Sequence, residues 1–160
     1  MRRGVFILVG LLCAVYLFGT NAHAFSGRER IIIEEADKFF NISPREKPRG
    51  IENTALQDRL EKKDPKVFIL DVRAGKDYQE KRIDGAGGAG MVNIPFKDVF
   101  KEANLKRLPR DKEIMVLCYT GGISNQMVSL LEILGYRALA VKGGIEEWDL
   151  QGLPLKKGGK

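Results

Sequence analysis

"VLCYTGGISN", residues 116–125, is an apolar run that ends on a cysteine, crosses two adjacent glycines and reaches a serine suited to the first turn of a helix. The segments on either side give it a strand-turn-helix reading. "EIMVLC" (113–118) is a largely apolar run of the kind expected for a strand buried on both faces. "SNQMVSLLEILG" (124–135) has helical periodicity and a glycine stop at Gly135. In open parallel α/β sheets, ligands sit beyond the carboxyl ends of strands, where loops turn into helices. Cys118 is therefore expected as the last residue of its strand, with Ser124 opening the next helix. Between them Tyr119, Thr120, Gly121, Gly122 and Ile123 must curl tightly, and paired glycines permit backbone angles closed to other residues. Such a loop can aim several backbone N–H groups at one point, an anion nest at a helix N-terminus. A thiol held there is favoured as its thiolate and needs no histidine. The competing reading is a structural cysteine, because free cysteine is among the most buried residue types.

On both sides of this stretch, buried strands alternate with helical segments. "KVFILDV" (66–72), "MVNI" (91–94) and "RALAVK" (137–142) read as strands. "NTALQDRLEKKD" (53–64), with Asn53 or Thr54 as N-cap, "FKDVFKEANL" (96–105) and "GIEEWDLQG" (144–152) read as helices. A polar stretch with Asp77 and Tyr78 and the glycine-rich "DGAGGAG" lie between the first two strands. The alternation predicts an α/β domain, an open parallel sheet flanked by helices, over residues 51–155. Residues 25–50 precede it: "ERIIIEEADKFF" has near-helical apolar spacing, and "NISPREKPRG" is a linker by its two prolines. Residues 156–160 form a basic tail.

The first residues differ in kind. Arg2 and Arg3, an apolar run from Val5 to Phe18, and Ala22-His23-Ala24 make the pattern of a secretory signal peptide over 1–24. The apolar run, as a helix, spans roughly 21 Å, short of the ~30 Å hydrocarbon core, so cleavage is expected rather than a retained anchor. The protein is expected to be exported, to the periplasm or another extracytoplasmic space, and to meet a membrane only if the signal is kept. Removal of Arg2 and Arg3 lowers the net charge from +6 to +4. His23 and Cys13 leave too, so the exported chain would keep no histidine and one cysteine, Cys118. That excludes an intramolecular disulfide, a Cys-His dyad, a Ser-His-Asp triad and a histidine-bearing zinc site. The positive charge is mild and scattered, and a nucleic-acid partner is not expected. No cofactor or metal is implied.

At this point a resemblance enters. "CYTGGIS" (118–124) is similar to the active-site loop of the single-domain rhodaneses, sulfurtransferases with the pattern C-x-x-G-x-R-[ST]. "ILDVRAGKDYQ", "GA…VNIP" and "VKGGIEEWDLQGLP" resemble further blocks of that family, in the same order, over about residues 51–154. The resemblance implies a ping-pong transfer. Cys118 takes sulfane sulfur from a small anionic donor such as thiosulfate, or from a persulfide, and yields it to a thiol or another thiophilic acceptor. One departure stands out: Ile123 occupies the place of the loop arginine, which in the family helps bind the donor. Arg73 and Arg82 are the substitutes considered, with Asp71 as a support that fixes neighbouring loops; Trp148 and Gly143-Gly144 read as core and turn. Residues Gly87 to Met91 look like an insertion, read as a surface loop or an altered pocket rim. A cysteine-dependent phosphatase is disfavoured, because position 124 is serine where that chemistry needs arginine. The rival from another class is a non-catalytic module that carries sulfur or meets a partner.

Overall fold

The computed structural model describes residues 26–41, 49–84 and 89–158. The expected signal peptide, its cleavage site and most of the linker lie outside these residues. Among the described residues no helix is long and apolar enough to cross a membrane.

The chain begins with α1 (Gly27–Asn41), opened by a reciprocal cap. Glu29 N–H donates to Ser26 Oγ (3.3 Å) and Ser26 N–H to Glu29 Oε2 (2.7 Å). Next come β1 (Gly50–Ile51), α2 (Asn53–Glu61), β2 (Val67–Asp71), α3 (Gly75–Glu80), β3 (Lys81–Ile83) and β4 (Gly90–Asn93). A 3₁₀ turn (Phe96–Asp98) leads to α4 (Glu102–Leu105), β5 (Glu113–Leu117), α5 (Gly122–Ile133), β6 (Arg137–Val141), α6 (Gly144–Leu150) and β7 (Leu155–Lys157). Five strands form one parallel sheet in the order β1-β6-β5-β2-β4, and β3 pairs antiparallel with β7.

The apolar runs follow from burial on both faces. Successive strand residues point to opposite faces. In β5, Ile114 and Val116, and Cys118 just beyond, pack with Met127, Val128 and Leu131 of α5. Met115 and Leu117 face the other way, toward Leu56 and Leu60 of α2 and Ile145 and Trp148 of α6. Each fully buried aliphatic side chain contributes about 1.5–3 kcal/mol. Parity thus places Cys118 on the α5 side.

Several expectations need correction. The helix expected over 96–105 is broken: Lys101 is extended (φ −68°, ψ 132°), and Asn104 Nδ2 donates to Asp98 O at 2.8 Å, a side chain displacing the helical pattern. Neither Asn53 nor Thr54 caps α2. Glu52 occupies that position, and Asn53 is buried, its carboxamide donating to Lys142 O and accepting from Trp148 N, both at 3.1 Å. The stretch around Asp77 is a helix, α3. Lys156 and Lys157 of the expected tail belong to β7. Of the apparent insertion, Gly90 and Met91 are in β4, where a Cβ on Gly90 would lie 2.6 Å from the Phe68 ring. Residues 85–88 are outside the described residues.

Candidate active site

β5 stops at Leu117, so Cys118 lies one residue past the strand, at the carboxyl edge of the sheet. It is buried, 3% exposed. Its sulfur accepts the Gly121 N–H at 3.1 Å and lies 3.5 Å from Ser124 Oγ, to which the thiol donates. The Ser124 hydroxyl donates in turn to Gly121 O at 2.9 Å. Gly121 makes this ring possible: it has φ +93° and serves as the N-cap of α5, which starts at Gly122 rather than at Ser124. The first intrahelical bond of α5 is Asn125 N–H to Gly121 O (3.1 Å). The N–H groups of Gly122, Ile123 and Ser124 precede it and have no acceptor within the helix.

The loop is held from below by α6. Ile145 N–H donates to Cys118 O (2.9 Å) and Glu146 N–H to Tyr119 O (3.1 Å). This grip needs a bare backbone at Gly144, where a Cβ would sit 2.5 Å from Cys118 O and 2.4 Å from Tyr119 O. A Gly143-Gly144 pair read from sequence as a turn is therefore the clamp of the site loop.

The other candidates separate. Asp71 and Arg73, both buried, bind each other: Arg73 Nη2 lies 2.6 Å from Asp71 Oδ2, Nε 3.0 Å from Oδ1, and the Arg73 N–H 3.0 Å from Oδ1. Arg73 Nη2 also reaches Lys81 O (2.7 Å), and Asn93 Nδ2 bridges Asp71 O (3.0 Å) and Arg73 O (2.9 Å). That guanidinium is committed to closing the end of β2. Arg82 sits on β3 with its guanidinium 5.4 Å from the Tyr78 ring centre, in the second sheet. Tyr119 is exposed and donates its hydroxyl to Asp77, whose carboxylate holds the phenol above its ordinary pKa. Thr120 is exposed. Trp148 is core, its Nε1 donating to Pro154 O at 3.1 Å.

Two hollows flank the loop. One of about 220 Å³ adjoins Tyr119 and Arg73 and carries three carboxylates, Asp77, Glu80 and Glu146. The other, about 340 Å³, runs past Ile123 between α5 and the segment after β4, and is lined by Phe96, Phe100, Met127 and Leu130. Sequence reading missed Asp77, the Gly144 clamp and this aromatic wall; Phe96 and Phe100, four apart, fall in an expected helix that breaks at Lys101.

The chain around this thiol is similar to known proteins. Residues 52–151 match the Rhodanese-like domain family, and the chain belongs to it. It is 28% identical over 101 residues to the putative sulfurtransferase YtwF of Bacillus subtilis, covering 63% of this chain and 90% of that protein. It is 32% identical over 79 residues to the thiosulfate sulfurtransferase PspE of Escherichia coli, covering 49% and 70%. By contrast, the chain spans only 23% of the probable molybdopterin-synthase adenylyltransferase of Porphyra purpurea, at 31% identity over 93 residues. The crystal structure of a rhodanese-related protein from Thermoplasma volcanium superposes with a TM-score of 0.57 at 29% identity, covering 68% of this chain and 97% of that one.

Proposed function

We propose that the protein is a sulfurtransferase that carries sulfane sulfur as a persulfide on Cys118. The observation that carries this reading is the Gly121 N–H directed at Cys118 Sγ, within a loop whose next N–H groups lack helical acceptors. The Cys118 thiolate attacks the outer sulfur of the donor, forming one S–S bond as the donor's own sulfur–sulfur bond breaks. Thiosulfate leaves as sulfite, and the persulfide anion remains. Its terminal sulfur stands about 2.0 Å beyond Sγ, where backbone N–H groups stabilise the charge. The Ser124 hydroxyl, free to rotate, turns from Gly121 O to donate to the ionised sulfur. A thiol acceptor, or cyanide in the assay, then attacks the terminal sulfur and restores the thiolate. Splitting the transfer into two displacements is the logic of covalent catalysis.

The test is intact mass after incubation with thiosulfate and then cyanide. The expected result is one added sulfur atom that cyanide removes, absent in Cys118→Ser. No adduct from any sulfane donor, in a folded protein, refutes sulfur transfer and leaves the binding-module reading. Export is part of the proposal, resting on the pattern of residues 1–24.

A further inference from the structure

The hollow beside Ile123 differs chemically from its neighbour, and both belong to the same loop. Four of its apolar residues stand open to solvent, among them Phe96 at 54%, Ile123 at 38% and Leu130 at 48%. Phe100 is at 37%, and Met127 forms the floor, buried in the same cluster as Cys118. Ile123 immediately precedes Ser124, whose hydroxyl lies 3.5 Å from Cys118 Sγ. Phe96 is fixed opposite by its N–H, which donates to Val72 O at 2.9 Å, at the carboxyl end of β2. The groove therefore starts at the reacting sulfur's own loop, and at about 340 Å³ it falls in the range of small-molecule sites. One charged residue lines it, the cation Lys97.

On the Tyr119 side the electrostatics point the other way. Asp77, Glu80 and Glu146 line that hollow, while its two cations are already paired, Arg73 with Asp71 and Lys81 with Asp149 at 2.7 Å. An inorganic dianion meets carboxylates there, and an isoleucine instead of a guanidinium on the other flank. A donor with an apolar body and a single negative charge fits the groove: the body lies on Phe96, Ile123 and Leu130, and the anionic head is drawn by Lys97 and the loop N–H groups.

We propose, resting on the sulfur-transfer reading above, that the Ile123–Phe96 groove is a donor subsite that selects sulfane sulfur carried on an apolar organic body, an organic thiosulfonate being the simplest case. In the step, the Cys118 thiolate attacks the outer sulfur of R–SO2–S⁻. The new Cys118 S–S bond forms, the donor S–S bond breaks, R–SO2⁻ leaves, and the persulfide anion keeps the transferred sulfur. Two single negative charges enter and two leave, with no oxidant or reductant.

The experiment measures cyanide-dependent thiocyanate formation by the full chain with benzenethiosulfonate, methanethiosulfonate and thiosulfate. Each rate is normalised to the donor's reaction with free glutathione, which removes differences in leaving group. Benzene- and methanethiosulfonate share a head and differ only in the apolar body. The expected kcat/KM ratio is about tenfold in favour of the aromatic donor, equivalent to ~1.4 kcal/mol. That ratio is expected to fall severalfold in Phe96→Ala and in Leu130→Ala, the latter a solvent-facing change on α5. A wild-type ratio near one with measurable thiosulfate turnover, or a ratio unmoved in both variants, overturns the subsite and leaves sulfur transfer standing. No turnover and no persulfide with any of the three donors overturns the sulfur-transfer reading, and the subsite with it.

Discussion

The clamp beneath the Cys118 loop gives the most demanding test of this site. In Gly144→Ala the added Cβ would lie 2.4 Å from Tyr119 O and 2.5 Å from Cys118 O, inside any allowed contact, and both neighbours are backbone. Gly144 has φ +61°, so alanine also carries the left-handed penalty of about 1–2 kcal/mol. Relieving the overlap pulls Ile145 and Glu146 away from the two carbonyls they now hold at 2.9 and 3.1 Å. Each weakened bond forfeits about 0.5–1.5 kcal/mol. The sum, about 3 kcal/mol, corresponds to a Tm loss of roughly 10 °C in a domain of this size. Gly152→Ala is the matched control: its φ is +67°, but nothing lies within 4 Å of the new Cβ. It carries the backbone term alone and loses about 5 °C, roughly half of the effect. Because the moved carbonyls belong to Cys118 and Tyr119, Gly144→Ala is also expected to lower kcat/KM by about tenfold or more at 25 °C, where displacements near 1 Å cost up to ~100-fold. Thermal melts and thiocyanate formation on both variants decide the matter. If Gly144→Ala melts and turns over like Gly152→Ala, the clamp does not hold the loop.

Other consequences follow from the same geometry. Ile123→Arg is expected to raise kcat/KM for thiosulfate by about tenfold, the difference between a charged and a neutral donor, and to lower the preference for an aromatic thiosulfonate. Ser124→Ala removes the rotatable hydroxyl beside the sulfur and is expected to cut kcat by about tenfold or more, since a hydrogen bond to a charged sulfur is worth ~1.5–3 kcal/mol; single-turnover loading with thiosulfate measures it. The Tyr119 phenol is held protonated by its bond to Asp77, so that bond supports the fold below the ordinary tyrosine pKa and is lost as pH rises through the raised value. Ultraviolet titration should show one tyrosine ionising at lower pH in Asp77→Asn than in wild type. N-terminal sequencing of the protein from its native host should begin at Phe25, as the signal pattern of residues 1–24 requires.

Legibility in the sequence tracked how local each cause was. β2, β5 and β6 announce themselves because a parallel strand covered on both faces is apolar at nearly every position. β3 and β7 do not, since Lys81, Arg82, Lys156 and Lys157 lie in a short antiparallel pair with little burial. The loop from Cys118 to Ser124 was readable from its glycines and its place between a strand and a helix. The clamp was not, because the need for glycine at Gly144 arises from a contact with residues 118 and 119, far back in the chain. Arg73 looked available for a donor because its partner, two residues away, became visible only when both proved buried. From the sequence, Ile123 reads as a missing charge, with an apolar surface suited to a persulfide or protein-borne donor as the alternative. Its place in an apolar wall depends on Phe96 and Phe100, which are distant in sequence and meet it only in the fold.

The isoleucine at position 123 also bears on whether the site is intact. The loop's shape depends on Gly121 as an αL cap, on Gly144 as a bare backbone beneath it, and on Ser124 tying its hydroxyl to Gly121 O. None of these involves the side chain of residue 123, which is 38% exposed and directed along the groove. Exchange of arginine for isoleucine there changes what the loop presents to a donor without altering how the loop holds sulfur. A decayed site would be expected to lose the costly features first, namely a left-handed glycine, a buried serine and a buried thiol. All three are present and mutually bonded. On the proposed sulfur-transfer reading, the substitution changes the donor on an intact loop, and the ratio of aromatic to inorganic donor turnover tests it.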